Sequence, residues 1–103
     1  MPLATLDAGV LKALADPVRL DICRALADEE LCVCHLTEDF GLSQPLLSHH
    51  MKVLREAGLV EQRRHSYWTY YRLRPEAIAE VADELGRLGR SSALAVTARP
   101  CPV

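Results

Sequence analysis

Two cysteines stand one residue apart, at Cys32 and Cys34, in a part of the chain that is rich in charged residues. Thiolates spaced in this way at the start of a helix can converge on one soft metal or metalloid ion, because sulfur ligands prefer soft ions. Free cysteines also serve as small buried residues, so core packing is the alternative. The charged surroundings favour the ligand interpretation, since buried cysteines normally lie on apolar stripes.

The other two cysteines are Cys23 and Cys101. Cys23 lies on the apolar face of a predicted helix, where core packing is its expected role. Cys101 lies in a terminal segment that begins near residue 90 and reaches at most ~36–40 Å when extended, enough to meet Cys32 and Cys34. We therefore predict Cys101 as a third ligand, with Cys23 or an inert terminal thiol as the alternatives. His35 is a weaker candidate, because imidazole suits zinc or cadmium better than it suits a very soft ion.

Basic residues are concentrated between residues 43 and 74. This segment holds six basic and two acidic residues, a formal charge of +4, whereas the rest of the chain holds six and twelve, so that the net charge is −2. A chain divided in this way presents a cationic face to a polyanion such as DNA. Chance clustering of charge on a solvated surface is the alternative.

The apolar spacing predicts five helices and one hairpin that position these residues. The helices cover residues 3–15, 17 to about 27, about 34–40, 44 to about 57 and 75 to about 88. Asp16 and Ser43 are suited to cap helix starts, whereas Gly41 and Gly58 are suited to end helices. The period changes to two at residues 59–64 and 68–73, which predicts two strands joined by a turn near His65 and Ser66.

This order of elements predicts a mainly α, winged helix-turn-helix fold with a small β-hairpin. The helix after Ser43, the recognition helix, would enter the major groove while the hairpin, the wing, binds phosphates. We predict contacts to base edges from Gln44, Ser48 and His49, whereas His50 is equally suited to a structural hydrogen bond. The complete set of predicted DNA contacts is Gln44, Ser48, His49, Lys52, Arg55, Arg63, Arg64 and His65.

The size and composition of the chain exclude several classes of protein. A length of 103 residues predicts one domain, residues 1–89, followed by a flexible tail, residues 90–103. No apolar run is long enough for a membrane span and no signal peptide is evident, so we expect a cytoplasmic protein. The sequence lacks paired carboxylates, a Ser–His–Asp pattern and a phosphate-binding glycine loop, which argues against an enzyme or an organic cofactor.

Four segments carry a family resemblance: ALADPVRLDI (Ala13–Ile22), ELCVCHL (Glu30–Leu36), LSQPLLSHHMKVLREAGLV (Leu42–Val60) and RRHSYWTYYRL (Arg63–Leu73). Together they make the chain similar to the ArsR/SmtB family of bacterial metal-responsive repressors over roughly residues 11–88. The resemblance implies a homodimer built on the first and last helices. It also implies binding to an inverted-repeat operator, and release when a metal or metalloid binds.

The resemblance also limits which metal or metalloid is expected to act as the inducer. The ELCVC segment is similar to the metal-binding box of arsenic-, cadmium- and lead-responsive members, with Cys32 and Cys34 in the matching positions. A third cysteine of the arsenic-type box would fall at position 37, where this chain has Thr37. The N-terminal cysteines of cadmium- and lead-type members and the last-helix histidines of zinc- and nickel-type members are absent. We therefore expect As(III) or Sb(III), with cadmium, lead or zinc as alternatives.

Two other functions remain open from the sequence. A thiol redox sensor of the same fold would pair Cys32 with Cys34 or Cys101 on oxidation. A winged helix can also serve as a protein-interaction module without DNA, although the +4 segment argues against that function.

Overall fold

The computed structural model describes the backbone of residues 5–92 and the side chains of residues 5–90. Cys101 and residues 93–103 of the predicted tail therefore lie outside the described residues. Within them the elements follow in the order α1 (Ala8–Ala15), α2 (Pro17–Asp28), β1 (Leu31–Cys32), α3 (Val33–Phe40), α4 (Gln44–Glu56), β2 (Val60–His65), β3 (Trp68–Leu73) and α5 (Pro75–Ser92). None of the helices in this part of the chain has the length and apolarity needed to cross a membrane.

The predicted caps start and end the helices that surround the site. Asp16 accepts hydrogen bonds from the backbone N–H groups of Val18 (2.8 Å) and Arg19 (3.1 Å) at the start of α2. The Ser43 hydroxyl oxygen accepts a hydrogen bond from the backbone N–H of Leu46 at 3.3 Å, at the start of α4. Gly41 ends α3 in the left-handed region at φ 62°, where glycine avoids the strain that a side chain would bring.

Three predicted boundaries differ from the structure. Helix α1 begins at Ala8 rather than at residue 3, because the Asp7 side chain accepts from the N–H of Val10 at 2.8 Å and caps the helix there. Helix α5 continues past its predicted end near residue 88 and reaches Ser92. The hairpin turn lies one residue later than predicted, with Ser66 at φ 58°.

The sheet has three strands rather than the two predicted, in the order β1-β3-β2. All neighbours are antiparallel, with Leu31 opposite Tyr71 and Cys32 opposite Tyr70. The third strand is only two residues long, too short to show a period in the sequence. It joins the cysteine segment to the wing through the sheet.

One apolar core supports both the recognition helix and the sheet. Leu47, Met51 and Leu54 form the buried side of α4, as the helical spacing predicted. Leu36 of α3 and Val60 of β2 are completely buried in the same core. The core therefore fixes which face of α4 is turned to solvent.

Candidate DNA-binding face and cysteine site

The outer face of α4 presents short polar and basic side chains to solvent. Gln44, Ser48, His49 and Lys52 are all exposed, as the helical spacing predicted. Arg55 is half-buried, and its guanidinium donates to the side-chain oxygen of Gln62 on β2. Four of the five contacts predicted on α4 therefore share one surface, whereas Arg55 contacts the wing instead.

His50 is buried. Of its two predicted roles, a base contact or a structural hydrogen bond, burial agrees with the second. Arg19 donates through Nε to the Ala13 carbonyl at 2.7 Å, and its Nη1 lies 3.2 Å from Nδ1 of His50. Because arginine only donates, Nδ1 of His50 must accept, which requires the neutral ring. Burial lowers the pKa of His50, and this change also favours the neutral ring. This contact fixes α4 against α1 and α2.

The basic residues of the wing are largely engaged within the protein. Arg63 donates to both carboxylate oxygens of Glu30, through Nη2 at 2.5 Å and Nε at 3.2 Å. The same guanidinium lies 5.4 Å from the ring centre of Tyr70. The hydrogen bond from Arg63 lowers the pKa of Glu30 and raises that of Arg63. Arg72 pairs with Glu61 at 2.7 Å.

Burial and pairing make the cationic face smaller than the +4 count suggested. Arg74 is buried and approaches Glu76 at 3.4 Å, so it does not belong to that face. Arg64 and His65 lie exposed near the end of the wing. Among the ion pairs of residues 5–90, none involves Lys52 or Arg64. Lys52 on the recognition helix and Arg64 on the wing are therefore the residues best placed to meet phosphates.

The two cysteines of the ELCVC segment meet at the start of α3. Cys32 and Cys34 are joined as a disulfide, with their Cα atoms 5.4 Å apart. A ring nitrogen of His35 completes a group of potential ligand atoms that all lie within 4.8 Å of one another. Nδ1 of His35 also accepts from the backbone N–H of Cys32 at 3.3 Å. These residues can hold a soft ion in the reduced state or form a disulfide in the oxidised state.

Cys32 and Cys34 differ in their surroundings. Cys32 is 3% exposed and belongs to the sheet, whereas Cys34 faces solvent on the first turn of α3. Beside Cys34 lies a cavity of about 310 Å³ between α3, the first residue of α4 and the wing. Its lining consists of Val33, Cys34, Thr37, Gln44, Tyr67, Trp68 and Thr69.

Cys23 packs in the core, as expected, and is not part of the Cys32–Cys34–His35 group. Burial raises the pKa of its thiol to about 11, so the thiolate that a metal requires is disfavoured at neutral pH. Cys23 is therefore a poor alternative as the third ligand.

Sequence reasoning missed three features around the cysteines: strand β1, the Glu30–Arg63 pair and the cavity beside Cys34. Of these three, the Glu30–Arg63 pair is the one that the sequence indicates, since Glu30 ends an acidic run and the wing is rich in arginine. The partners are separated by 33 residues, so no local spacing could have joined them.

Comparison with known proteins agrees with the fold. The family model described as "Bacterial regulatory protein, arsR family" matches residues 16–62. The arsenical resistance operon repressor of Escherichia coli K12 is 38% identical over 95 residues, which cover 88% of this chain and 81% of the repressor. The chain belongs to the ArsR family. It is thus a DNA-binding transcriptional regulator rather than an enzyme.

Two further relatives of this ArsR-family chain carry related names. The arsenic resistance transcriptional regulator ArsR1 of Pseudomonas putida KT2440 is 52% identical over 68 residues, which cover 65% of this chain but only 53% of that protein. A crystal structure of a possible transcriptional regulator for arsenical resistance superposes with a TM-score of 0.70 at 31% identity, over 88% of this chain and 100% of that one.

Proposed function

We propose that this ArsR-family protein is a repressor that binds an inverted-repeat operator as a homodimer and leaves the DNA when As(III) or Sb(III) binds its cysteines. The meeting of Cys32 and Cys34 beside the wing is the observation that carries the proposal. The names of the relatives, which refer to arsenic or arsenical resistance, support the choice of inducer. As a repressor of operator DNA, the protein would act in the cytoplasm.

Exposed apolar side chains on the first and last helices support the homodimer. Leu11 on α1 is 47% exposed, and Leu85 and Leu88 on α5 are 47% and 62% exposed. A second copy that covers these leucines would remove apolar surface from water. Two-fold symmetry would then place two recognition helices about one helical turn of DNA apart, which an inverted repeat matches.

The chemistry of the cysteine group supports a soft inducer. Cys32 and Cys34 supply two thiolates, and Cys101 would supply the third that inorganic As(III) requires. The imidazole of His35 offers cadmium, lead or zinc an alternative third ligand within the group. Residues 90–103 would then act as a ligand-bearing tail of the DNA-binding domain.

The sheet offers a route from inducer to DNA. Cys32 is paired with Tyr70 of the wing, and Arg63 of the wing is bound by Glu30, two residues before Cys32. An ion that draws Cys32 and Cys34 together with a third ligand would shift β1, and with it the wing. A coupling free energy of about 1–3 kcal/mol would release the DNA many-fold.

The proposal is tested by titrating the reduced protein, bound to its own upstream DNA, with arsenite, antimonite, cadmium, lead and zinc. We expect arsenite and antimonite to release the DNA. Cys32→Ser and Cys34→Ser should keep DNA binding but abolish release, and Cys101→Ser should weaken the response to arsenite. Release by arsenite that persists in the Cys32→Ser, Cys34→Ser double variant would overturn the mechanism.

The disulfide between Cys32 and Cys34 favours a second candidate function, a thiol redox sensor. Oxidation by a peroxide would form the S–S bond, with the two thiol protons and two electrons reducing the peroxide to water or alcohol. In that case peroxide rather than arsenite releases the DNA, and two thiols per chain disappear from a thiol count. A phosphine reductant should then restore DNA binding.

A further inference from the structure

The aromatic residues of the wing are more exposed toward its turn. Tyr71 is 7% exposed, whereas Trp68 is 55% exposed and Tyr67, in the turn, is 90% exposed. Among residues 5–90, no other aromatic ring and no hydrogen bond engages the Tyr67 side chain. Packing within the chain therefore accounts for Tyr71 but not for Tyr67. Tyrosine and tryptophan are enriched at binding interfaces, so two adjacent exposed rings indicate a contact surface.

The surroundings of these two rings are basic. Residues 62–71 contain no aspartate or glutamate. Arg64 and His65 are exposed beside the turn, and Arg64 takes part in none of the ion pairs formed within residues 5–90. We call residues 64–68 the wing tip. Flat rings beside basic groups complement a polyanion that itself contains stacked planar rings, and nucleic acid is such a polyanion.

The wing tip is continuous with the DNA-binding face of α4. Tyr67 and Trp68 line the same cavity as Gln44, the first residue of α4. The recognition helix of a helix-turn-helix protein lies in the major groove. A tip beside the first residue of that helix would therefore meet the adjoining sugar–phosphate backbone, and the minor groove is the next surface of the duplex beyond it.

We infer that Tyr67 inserts between two base pairs from the minor groove beside each major-groove contact, while Arg64 and His65 hold the neighbouring phosphates. Apolar side chains that insert in this way partly unstack the bases and kink the duplex by about 20–90° toward the major groove. Deformation costs least at flexible pyrimidine–purine steps such as TA. The wing tip would thus select sequence at positions that α4 does not contact. The inference rests on operator binding as proposed above, but it involves neither the inducer nor the cysteines.

The first test detects the unstacked bases. In the protein's own upstream DNA, the flanks outside the bases that dimethyl sulfate footprinting assigns to α4 are rewritten as alternating T and A. Permanganate, which oxidises unstacked thymine, then probes the complex. We expect a hyperreactive thymine at a fixed distance from the major-groove contact, present with Tyr67→Phe and absent with Tyr67→Ala. Both variants should fold, because Tyr67 is exposed. No hyperreactive thymine, or one that Tyr67→Ala retains, would overturn the inference.

The second test compares two flanks of equal base composition, alternating T and A against an A-tract. A-tracts are stiff, and their narrow minor groove attracts arginine. We expect the original protein to bind the alternating flank more tightly by about threefold or more, and Tyr67→Ala to lose this preference. Equal binding by the original protein would contradict insertion. Tighter binding to the A-tract would also contradict it, since it would indicate that Arg64 recognises groove width.

Salt dependence separates insertion from phosphate contact. Tyr67 carries no charge at neutral pH, so Tyr67→Ala should weaken binding to the alternating flank without changing the slope of log K against log salt. Arg64→Ala is the matched comparison at the same tip, because it removes a charge and should reduce the slope. A reduced slope for Tyr67→Ala would mean that this variant loses phosphate contacts, and the insertion would then be wrongly assigned.

Arsenite separates this inference from the proposed function. DNA bound by Tyr67→Ala should still be released by arsenite, since the cysteines are unchanged. If a thymine becomes hyperreactive but arsenite fails to release DNA from the original protein, the inference holds and the proposed inducer is wrong. If arsenite releases the DNA but no thymine becomes hyperreactive, the proposed function holds and the inference is wrong.

Discussion

The recognition helix and the wing present their polar side chains in different ways. On α4, Ser48, His49 and Lys52 project from a face whose opposite side is anchored in the core. On the wing, Arg63 and Arg72 are each bound to a carboxylate of the protein itself. The helix therefore offers a preformed surface, whereas the wing must exchange internal partners before all its arginines can meet phosphates. This difference makes the wing the more adjustable of the two.

The largest expected effect tests the rigid side of this comparison. Leu54 of α4 is completely buried, so Leu54→Ala should lower the free energy of unfolding by about 2–5 kcal/mol through lost burial and a cavity. Tyr67 at the end of the wing is 90% exposed, and Tyr67→Ala should change it by no more than about 0.5 kcal/mol. Urea denaturation measures both. Similar losses for the two variants would contradict the proposed difference in anchoring.

The next effect concerns the exposed cations. Lys52→Ala and Arg64→Ala should each weaken operator binding and reduce the magnitude of the slope of log K against log salt by about 1, because each would remove one proposed phosphate contact. Arg24→Ala is the control, since this exposed arginine lies on α2 and pairs with Asp21. Fluorescence anisotropy at several salt concentrations provides the slopes. An unchanged slope for Lys52→Ala or Arg64→Ala would show that its DNA contact was wrongly assigned.

A smaller effect probes the internal partner of the wing. Glu30→Gln removes the charge that holds Arg63, so we expect operator binding to tighten several-fold and to depend more steeply on salt. Glu29→Gln makes the same charge change at an exposed neighbour and is the matched control. In a chain that also carries Arg63→Ala, the gain from Glu30→Gln should vanish. A gain that survives there would mean that Glu30 acts through general repulsion of DNA.

The smallest effect is a pH dependence of the link between α4 and the preceding helices. The pKa of His50 is lowered by burial, with Arg19 and His49 acting in the same direction and Asp16 opposing them. Below the ordinary value of 6.5 the unfolded chain takes up this proton first, so stability should fall as the pH drops below 6.5. His50→Gln should remove this part of the dependence in urea denaturation at several pH values, whereas His65→Gln should retain it.

Local chemistry made much of the molecule predictable. The caps at Asp16 and Ser43, the left-handed Gly41 and the buried stripe of α4 all follow from residues within one or two turns of one another. The pairing of Cys32 with Cys34 likewise needs only a short spacing. The caps, the left-handed glycine and the buried stripe are confirmed because helix capping and apolar periodicity act locally, whereas metal binding by Cys32 and Cys34 stays a prediction.

The rest depends on contacts between distant parts of the chain. Glu30 finds Arg63 only after the sheet has formed, and the same pairing turns Cys32 into a strand residue. The charge count treated every arginine as equivalent, but burial removed Arg74 from the surface and ion pairs occupied Arg63 and Arg72. Whether a basic residue faces DNA is therefore decided by tertiary structure.

The two-residue strand β1 has a consequence for engineering. Because Leu31 and Cys32 lie opposite Tyr71 and Tyr70 in the antiparallel sheet, the cysteine segment and the wing form one structural module. A chimaera that received only the cysteine segment of another regulator would acquire β1 without the hairpin strand that pairs with it. Residues 30–34 should therefore be exchanged together with the hairpin, residues 60–73, if the pairing between the cysteine segment and the wing is to be kept.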